Sequence, residues 1–262
     1  MKKALSIVLA ACLAAGAAAA APAHHGERGG EAALIARAVA DPARPQKDRV
    51  RDAERKLPQV LAFIGVRPGD KIVDFMPGAP PGYWTIPFSD IVGPTGVVYQ
   101  FVPQEIAAMV EKRMKITLPP SGSHPIKGRS NVIFLVGPVN DFATPQKVDI
   151  VWTAQNYHDL HDPFMGPADM LKFDKAVYAS LKPGGYFIIE DHRAPAGSGV
   201  SDTNTLHRID PAVVKKEVEA AGFRFAGSTD ILVNPKDPLT NKVFDPSIRG
   251  HTSQFIFKFR KP

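Results

Sequence analysis

Leu181-Lys182-Pro183-Gly184-Gly185-Tyr186-Phe187-Ile188-Ile189-Glu190-Asp191 leads from the end of an amphipathic segment, through a Pro-Gly-Gly turn, into an apolar strand that closes on two acids. Proline disfavours helical backbone in the residue before it, and paired glycines reach the left-handed angles that reverse a chain leaving a helix. A helix over 165–181 is therefore expected to deliver the chain into a buried strand over 186–190. On these residues alone the run is an αβ connection of a doubly wound sheet, which many folds contain.

The same alternation extends in both directions. Upstream, residues 71–75 read as a first strand, 84–92 as a short helix, 97–102 as a second strand and 104–115 as a helix. Residues 132–136 and 148–153 read as the third and fourth strands. Strands this short and continuously apolar suit a parallel sheet covered on both faces by helices. Downstream, Asp210 can cap a helix over 211–221, with Pro211 in its first position and Gly222 at its end. Residues 223–232 and 253–259 read as terminal strands, the second alternating Phe255, Phe257 and Phe259 with Gln254, Ile256 and Lys258. Between them lies a long Pro/Asp/Asn loop, 234–250, of the length that more often serves as a lid or substrate loop than as filler. Before the first strand, 31–39 has helical periodicity, 41–45 breaks it, and 48–64 reads as a helix with Pro58 as a kink or a boundary, closed by Gly65. The pattern is α/β and Rossmann-like, with a helical extension at its N-terminal side.

The 262 residues are 44% hydrophobic and 22% charged, enough for one sizeable core. Lys2 and Lys3 precede an Ala-rich apolar run that ends in small residues before Pro22, His24 and His25, which is the layout of a secretory signal peptide rather than a membrane anchor. The expected division is a signal peptide at 1–22, a linker and helical extension at 23–55 and one domain at 56–262, exported to a bacterial periplasm with no transmembrane span in the mature chain. Cys12, the single cysteine, follows Leu9-Ala10-Ala11 as in a lipobox. The apolar run continues past it, so lipid anchoring is the minor alternative, and a chain cleaved later has no cysteine and no disulfide. The net charge of +6 is spread thinly. Arg49, Arg51, Arg55 and Lys56 alternate with Asp48, Asp52 and Glu54 as on a solvated helix face, and no basic run interleaved with aromatics suggests a nucleic-acid groove.

Chemistry-bearing residues gather where strands end. After the first strand comes Asp74-Phe75-Met76-Pro77-Gly78-Ala79-Pro80-Pro81-Gly82. Glycines at such a place let a ligand approach the backbone, and the next helix offers free amides suited to a carboxylate. The second strand ends at Gln100-Phe101-Val102-Pro103, with Glu105 the nearest acid, and Asn140-Asp141-Phe142 follows the third. The fourth ends in Gln155-Asn156-Tyr157-His158-Asp159-Leu160-His161, and the fifth in Asp191-His192-Arg193. Histidine titrates near neutrality, which fits His158 as a proton acceptor with Asp159 orienting it or binding a substrate. His158, Asp159, His161, Asp191 and His192 could also hold a divalent metal, but no tight ligand spacing such as His-Glu-x-x-His supports one and no metal is assigned. No serine elbow or mature cysteine supports a covalent hydrolase.

Leu181-Lys182-Pro183-Gly184-Gly185 before a strand resembles the turn preceding the fifth strand of class I methyltransferases that use S-adenosylmethionine. Together with Pro77-Gly78-x-x-x-Gly82-Tyr83-Trp84-Thr85, Gln155 to His161 and Leu206-His207-Arg208-Ile209-Asp210, the chain resembles a bacterial family of exported methyltransferases. The resemblance implies a mostly parallel seven-stranded sheet with helices on both faces and S-adenosylmethionine as cofactor. It implies that Asp74, Gly78 and Gly82 hold the methionine part, Gln100 the ribose, and Asp141 and Phe142 the adenine, with Asn156 also at the cofactor. It places Tyr157, His161, Asp191, His192 and His207 around a small-molecule or envelope acceptor, beside catalytic His158 and Asp159. Three departures stand out: Met76 and Pro80 replace expected glycines, Gln100 replaces the ribose acid, and the prolines expected after Asn156 are missing. The cofactor is made in the cytoplasm, so an exported enzyme needs a supply outside it. A second class therefore stays open, a binding protein that keeps the fold and uses the crevice for another ligand.

Overall fold

The computed structural model describes residues 25–166 and 168–262, with side chains from residue 29 onward. The expected signal peptide and Cys12 lie outside the described residues. In chain order the elements are α1 (His25–Val39), α2 (Gln46–Arg49), α3 (Asp52–Arg55), α4 (Leu57–Ile64), β1 (Lys71–Phe75), α5 (Thr85–Val92), β2 (Val97–Pro103), α6 (Gln104–Met114), β3 (Val132–Gly137), β4 (Val148–Ala154), α7 (Met170–Ser180), β5 (Leu181–His192), α8 (Thr203–Leu206), α9 (Pro211–Ala220), β6 (Arg224–Thr229) and β7 (Gln254–Arg260). Among the described residues no helix is long and apolar enough to cross a membrane.

The sheet has seven strands in the order β3-β2-β1-β4-β5-β7-β6. Pairings from β3 through β5 are parallel, and β7 runs antiparallel to both β5 and β6. Because successive side chains of a strand point to opposite faces, covering both faces turns each strand into a continuous apolar run. Val73, Val151, Phe187 and Phe255 pack into one core layer with α7 and α9. Their neighbours Ile72, Ile150, Ile188 and Ile256 pack into the other, with α1, α4 and α5. Ile256, which the sequence pattern set among polar residues, is completely buried in that second layer.

Three expected elements change. The helix over 48–64 is three short helices, because Lys56 takes a left-handed conformation (φ 45°) and restarts the chain at α4. The helix over 165–181 begins only at Met170, after a 3-10 turn at Pro163–Met165, and ends at Ser180. Leu181 is already extended and pairs with Val148, so the Pro-Gly-Gly run lies inside a 12-residue β5 as a register irregularity. Gly185 is required there: a Cβ would lie 2.9 Å from the Asp149 carbonyl oxygen. Two helix ends are secured by side chains. The Asp210 carboxylate accepts from the Ala212 amide at the start of α9, as expected, and Lys258 of β7 donates to the Phe63 and Ile64 carbonyls at the end of α4.

Loop 230–253 is fixed to the domain by a fully buried ion pair. Arg208 meets both oxygens of Asp237 at 2.9 and 3.0 Å and also donates to the Asn241 and Arg193 carbonyls. Asp237 in turn accepts from the Ser253 and Leu239 amides. Removing one partner from such a pair leaves an uncompensated charge. Asp237→Ala should lower unfolding stability by about 3–5 kcal/mol. The double change Arg208→Met/Asp237→Leu should lose less than Asp237→Ala alone, measured from denaturant midpoints.

Candidate functional site

In this strand order β1 and β4 are neighbours, and the chain leaves their carboxyl ends in opposite directions, which opens a crevice between the two loops. Both exits use strained backbone: Met76 after β1 has φ 53° and Gln155 after β4 has φ 61°. Gly78, with φ 76°, has nothing within 4 Å of where a Cβ would lie, so its backbone faces open space. Three lobes of the crevice meet at Pro77 and Gly78.

The central lobe is a cavity of about 560 Å³. Its apolar wall includes Val102, Ile106, Met109, Phe164 and Phe244, and its polar floor is His158, Asp159, His192 and His207. Asp191, completely buried at the end of β5, organises that floor. One of its oxygens accepts from the His158 amide at 2.8 Å, and the other pairs with His158 Nδ1 at 2.7 Å. His158 Nε2 lies 3.1 Å from His207 Nδ1 and 3.2 Å from an Asp159 oxygen. Burial alone would lower the His158 pKa, but the Asp191 charge and the bonds to Asp159 and Asp191 outweigh it and lift it to about 10. Asp159 is held down at about 2, its burial overcome by the bonds from His158 and His207. His192 has its pKa driven well down by burial and by the neighbouring His158 charge, so it is neutral, with its Nδ1 against the Thr252 hydroxyl.

The second lobe is polar and is walled by the N-terminal extension. Arg55 donates to the Gln155 side chain at 2.8 Å and stacks over the Tyr83 ring, while Tyr83 donates to Asp52, which Arg44 grips through both oxygens. Lys47, Arg51 and Arg249 line the same lobe. Arg55, read as part of a solvated helix face, is therefore turned inward at the end of α3. The third lobe is apolar, with Val102, Val110, Leu118 and Phe134 around Gln100.

The structure brings Asp74, Gly78, Asn156, His158, Asp159, His192 and His207 to these lobes. Other expected site residues take different places. Gly82 is packed against its own loop, where a Cβ would meet the Thr85 hydroxyl at 2.4 Å, so it serves the turn and not a ligand. Gln100 reaches the third lobe, but its amide donates to the Pro81 carbonyl and the Thr85 hydroxyl. Glu105 is occupied by the Val139 amide. Phe142 lies in the core against Phe75, Phe101 and Phe173, and Asp141 is exposed outside the three lobes. Tyr157 is buried with its hydroxyl on Asp174, and His161 lies beside it, both reaching Glu217, while His158 and Asp159 line the cavity. Asp191, expected at the acceptor, instead orients His158, the part given to Asp159.

Known structures share this architecture. A SAM-dependent methyltransferase from Aquifex aeolicus is 20% identical, with a TM-score of 0.51, over 88% of this chain and 98% of that one. An S-adenosylmethionine-dependent methyltransferase from Mesorhizobium loti is 14% identical, with a TM-score of 0.51, over 80% of this chain and 99% of that one. No protein-family model and no curated relative matches the sequence. At such identities the likeness establishes a fold. The chain has the class I methyltransferase fold, Rossmann-like and seven-stranded, as its strand order independently shows.

Asp74 gives a pH signature. Burial lifts its pKa to about 7, against the opposing bond from Thr85 and the charge of Arg55. The folded chain thus holds a proton that the unfolded chain releases near pH 4, so this contribution is full below that pH and is lost as pH rises through 7. Asp74→Asn should remove this loss. Urea midpoints should show the variant gaining on the order of 1–3 kcal/mol over the wild type between pH 5 and pH 8.

Proposed function

We propose that the protein is an exported methyltransferase that uses S-adenosylmethionine on a small, largely apolar acceptor. The observation that carries this reading is the open backbone of Gly78 at the β1/β4 crevice, with a charged polar lobe on one side and a mostly apolar cavity of about 560 Å³ on the other. The residues fit the cofactor in part. Gly78 permits close approach, Arg51, Lys47 and Arg249 suit a carboxylate, and Val102 with Ile106 offers an apolar surface for a ring. S-adenosylmethionine would supply an electrophilic methyl group, and the protein's task is alignment.

The roles of the cluster follow from its hydrogen bonds. Both His158 nitrogens are engaged and its pKa is about 10, so at neutral pH it is a cation and not a ready base. In this reading His158 anchors Asp159 and His207 at the cavity floor, where they bind the polar end of the acceptor. Met109, Phe164 and Phe244 enclose its apolar body. His158→Ala should accordingly spare cofactor binding and abolish transfer.

A second reading, a non-catalytic exported binding protein, is favoured by one observation. No acid stands at the end of β2, and the Gln100 amide is already used inside the loop. Calorimetry with S-adenosylmethionine and S-adenosylhomocysteine separates the two. The enzyme reading expects micromolar binding that Gly78→Val weakens at least about tenfold, by projecting a side chain into the open space. Absence of heat with either compound at millimolar concentration would favour the binding protein.

A further inference from the structure

We propose that His158, His207 and Asp159 form a three-ligand site for a divalent transition metal of the zinc type, with its remaining position open to the central cavity. The inference stands apart from the cofactor, because none of these groups is asked to touch it.

The geometry is the first argument. Three ligand atoms, His158 Nε2, His207 Nδ1 and an Asp159 carboxylate oxygen, form a triangle with sides of 3.1, 3.2 and 3.6 Å. A tetrahedral ion with bonds of about 2.0–2.1 Å has ligand–ligand edges of about 3.3–3.4 Å, the centre of that range. A single proton on Nε2 can serve only one of the two neighbours it faces. A cation above the triangle serves all three at once.

The surroundings are the second argument. His158 gives its other nitrogen to the buried Asp191 at 2.7 Å, which fixes the ring orientation and leaves Nε2 as the ligand atom. A carboxylate behind a ligating histidine is the usual outer support of a metal site. Asp191 is held in turn by the His158 and His192 amides, so the support is rigid.

Ligand chemistry and access choose the class. Two imidazoles and one carboxylate suit zinc, iron, cobalt or nickel and disfavour magnesium or calcium, which take oxygen donors. All three residues line the cavity, so the open position faces the space assigned to an acceptor. Three protein ligands with one open position is the pattern of catalytic rather than structural zinc. His-x-x-x-His spacing could not announce the site: His158 and Asp159 are adjacent, and His207 arrives from 49 residues away with a left-handed backbone (φ 54°) at the end of α8.

The test uses the full chain without a histidine tag and with His24 and His25 changed to alanine, which removes an adjacent pair of competing ligands. Co²⁺ titrated in without any nucleoside should bind one equivalent, give the intense visible absorption of a four- or five-coordinate site, and be displaced by Zn²⁺. His207→Asn, which tolerates the left-handed backbone, and Asp159→Asn should each abolish those bands while the circular dichroism stays unchanged. Asp191→Asn should weaken binding about 10- to 100-fold. In the wild type, ¹⁵N spectra should show Zn²⁺ shifting His158 Nε2 and His207 Nδ1, a readout that needs no variant to fold. Failure to bind one equivalent, bands that survive both substitutions, or shifts at other histidines would each overturn the site. Loss of S-adenosylmethionine binding alone would overturn the proposed methyl transfer and leave the metal site standing.

Discussion

The arrangement depends on one topological constraint: β1 and β4 are hydrogen-bonded neighbours whose following segments depart to opposite sides. Two parallel strands cannot diverge at their ends without leaving a gap, and no backbone remains to fill it. Everything that reaches the crevice does so from a strand end or from a loop held beside one. Met76 and Gln155 accept left-handed backbone there, and Asn156 bridges the gap by donating to the carbonyls of Met76 and Ala154.

The same constraint explains why charged groups are buried where the sheet meets the crevice. Asp74, Glu190 and Asp191 are all inaccessible, and they are handled in two ways. Asp74 is satisfied by the Thr85 hydroxyl and lifted to about 7. Glu190 is also lifted to about 7, by burial and by the Asp191 charge beside it, against the pull of Arg55. Asp191 keeps full hydrogen bonding from two amides and an imidazole. An ionised group inside a protein must be neutralised, paired or saturated with donors. Asp74 and Glu190 show the first outcome and Asp191 the third, all at the carboxyl end of one sheet.

Much of the fold was legible in the sequence because its signals are local. The strand at 71–75 and the cap at Asp210 depend on neighbours within a few residues, and both stand as expected. The exact break at Lys56 and the early start of β5 were not legible: the first is one left-handed residue, and the second is set by the pairing of Leu181 with Val148, 33 residues away. The candidate site was legible as a set of strand ends but not as a set of contacts. His158 and His207 read as separate candidates, and only the fold shows that they face each other. Arg55 read as a solvated charge because its partner, Gln155, lies 100 residues on. Tyr157 and His161 show the converse error: their partner Glu217 lies on α9, about 60 residues on, so nothing in the motif itself reveals that they face away from the cavity.

Among the strands, β7 is made last and yet lies inside the sheet, between β5 and β6, and its Lys258 closes the end of α4. During synthesis, therefore, β6 emerges with no strand to join, and β5 keeps an open edge until residues 254–260 appear. Long-range pairing of this kind delays closure of the sheet until residues 254–260 have been made. The nascent chain carries its own timer: α4 is closed locally by Gly65, but its Phe63 and Ile64 carbonyls must wait 195 and 194 residues for the Lys258 ammonium. Any machinery that must capture the polypeptide before the sheet closes has that interval of synthesis in which to do so.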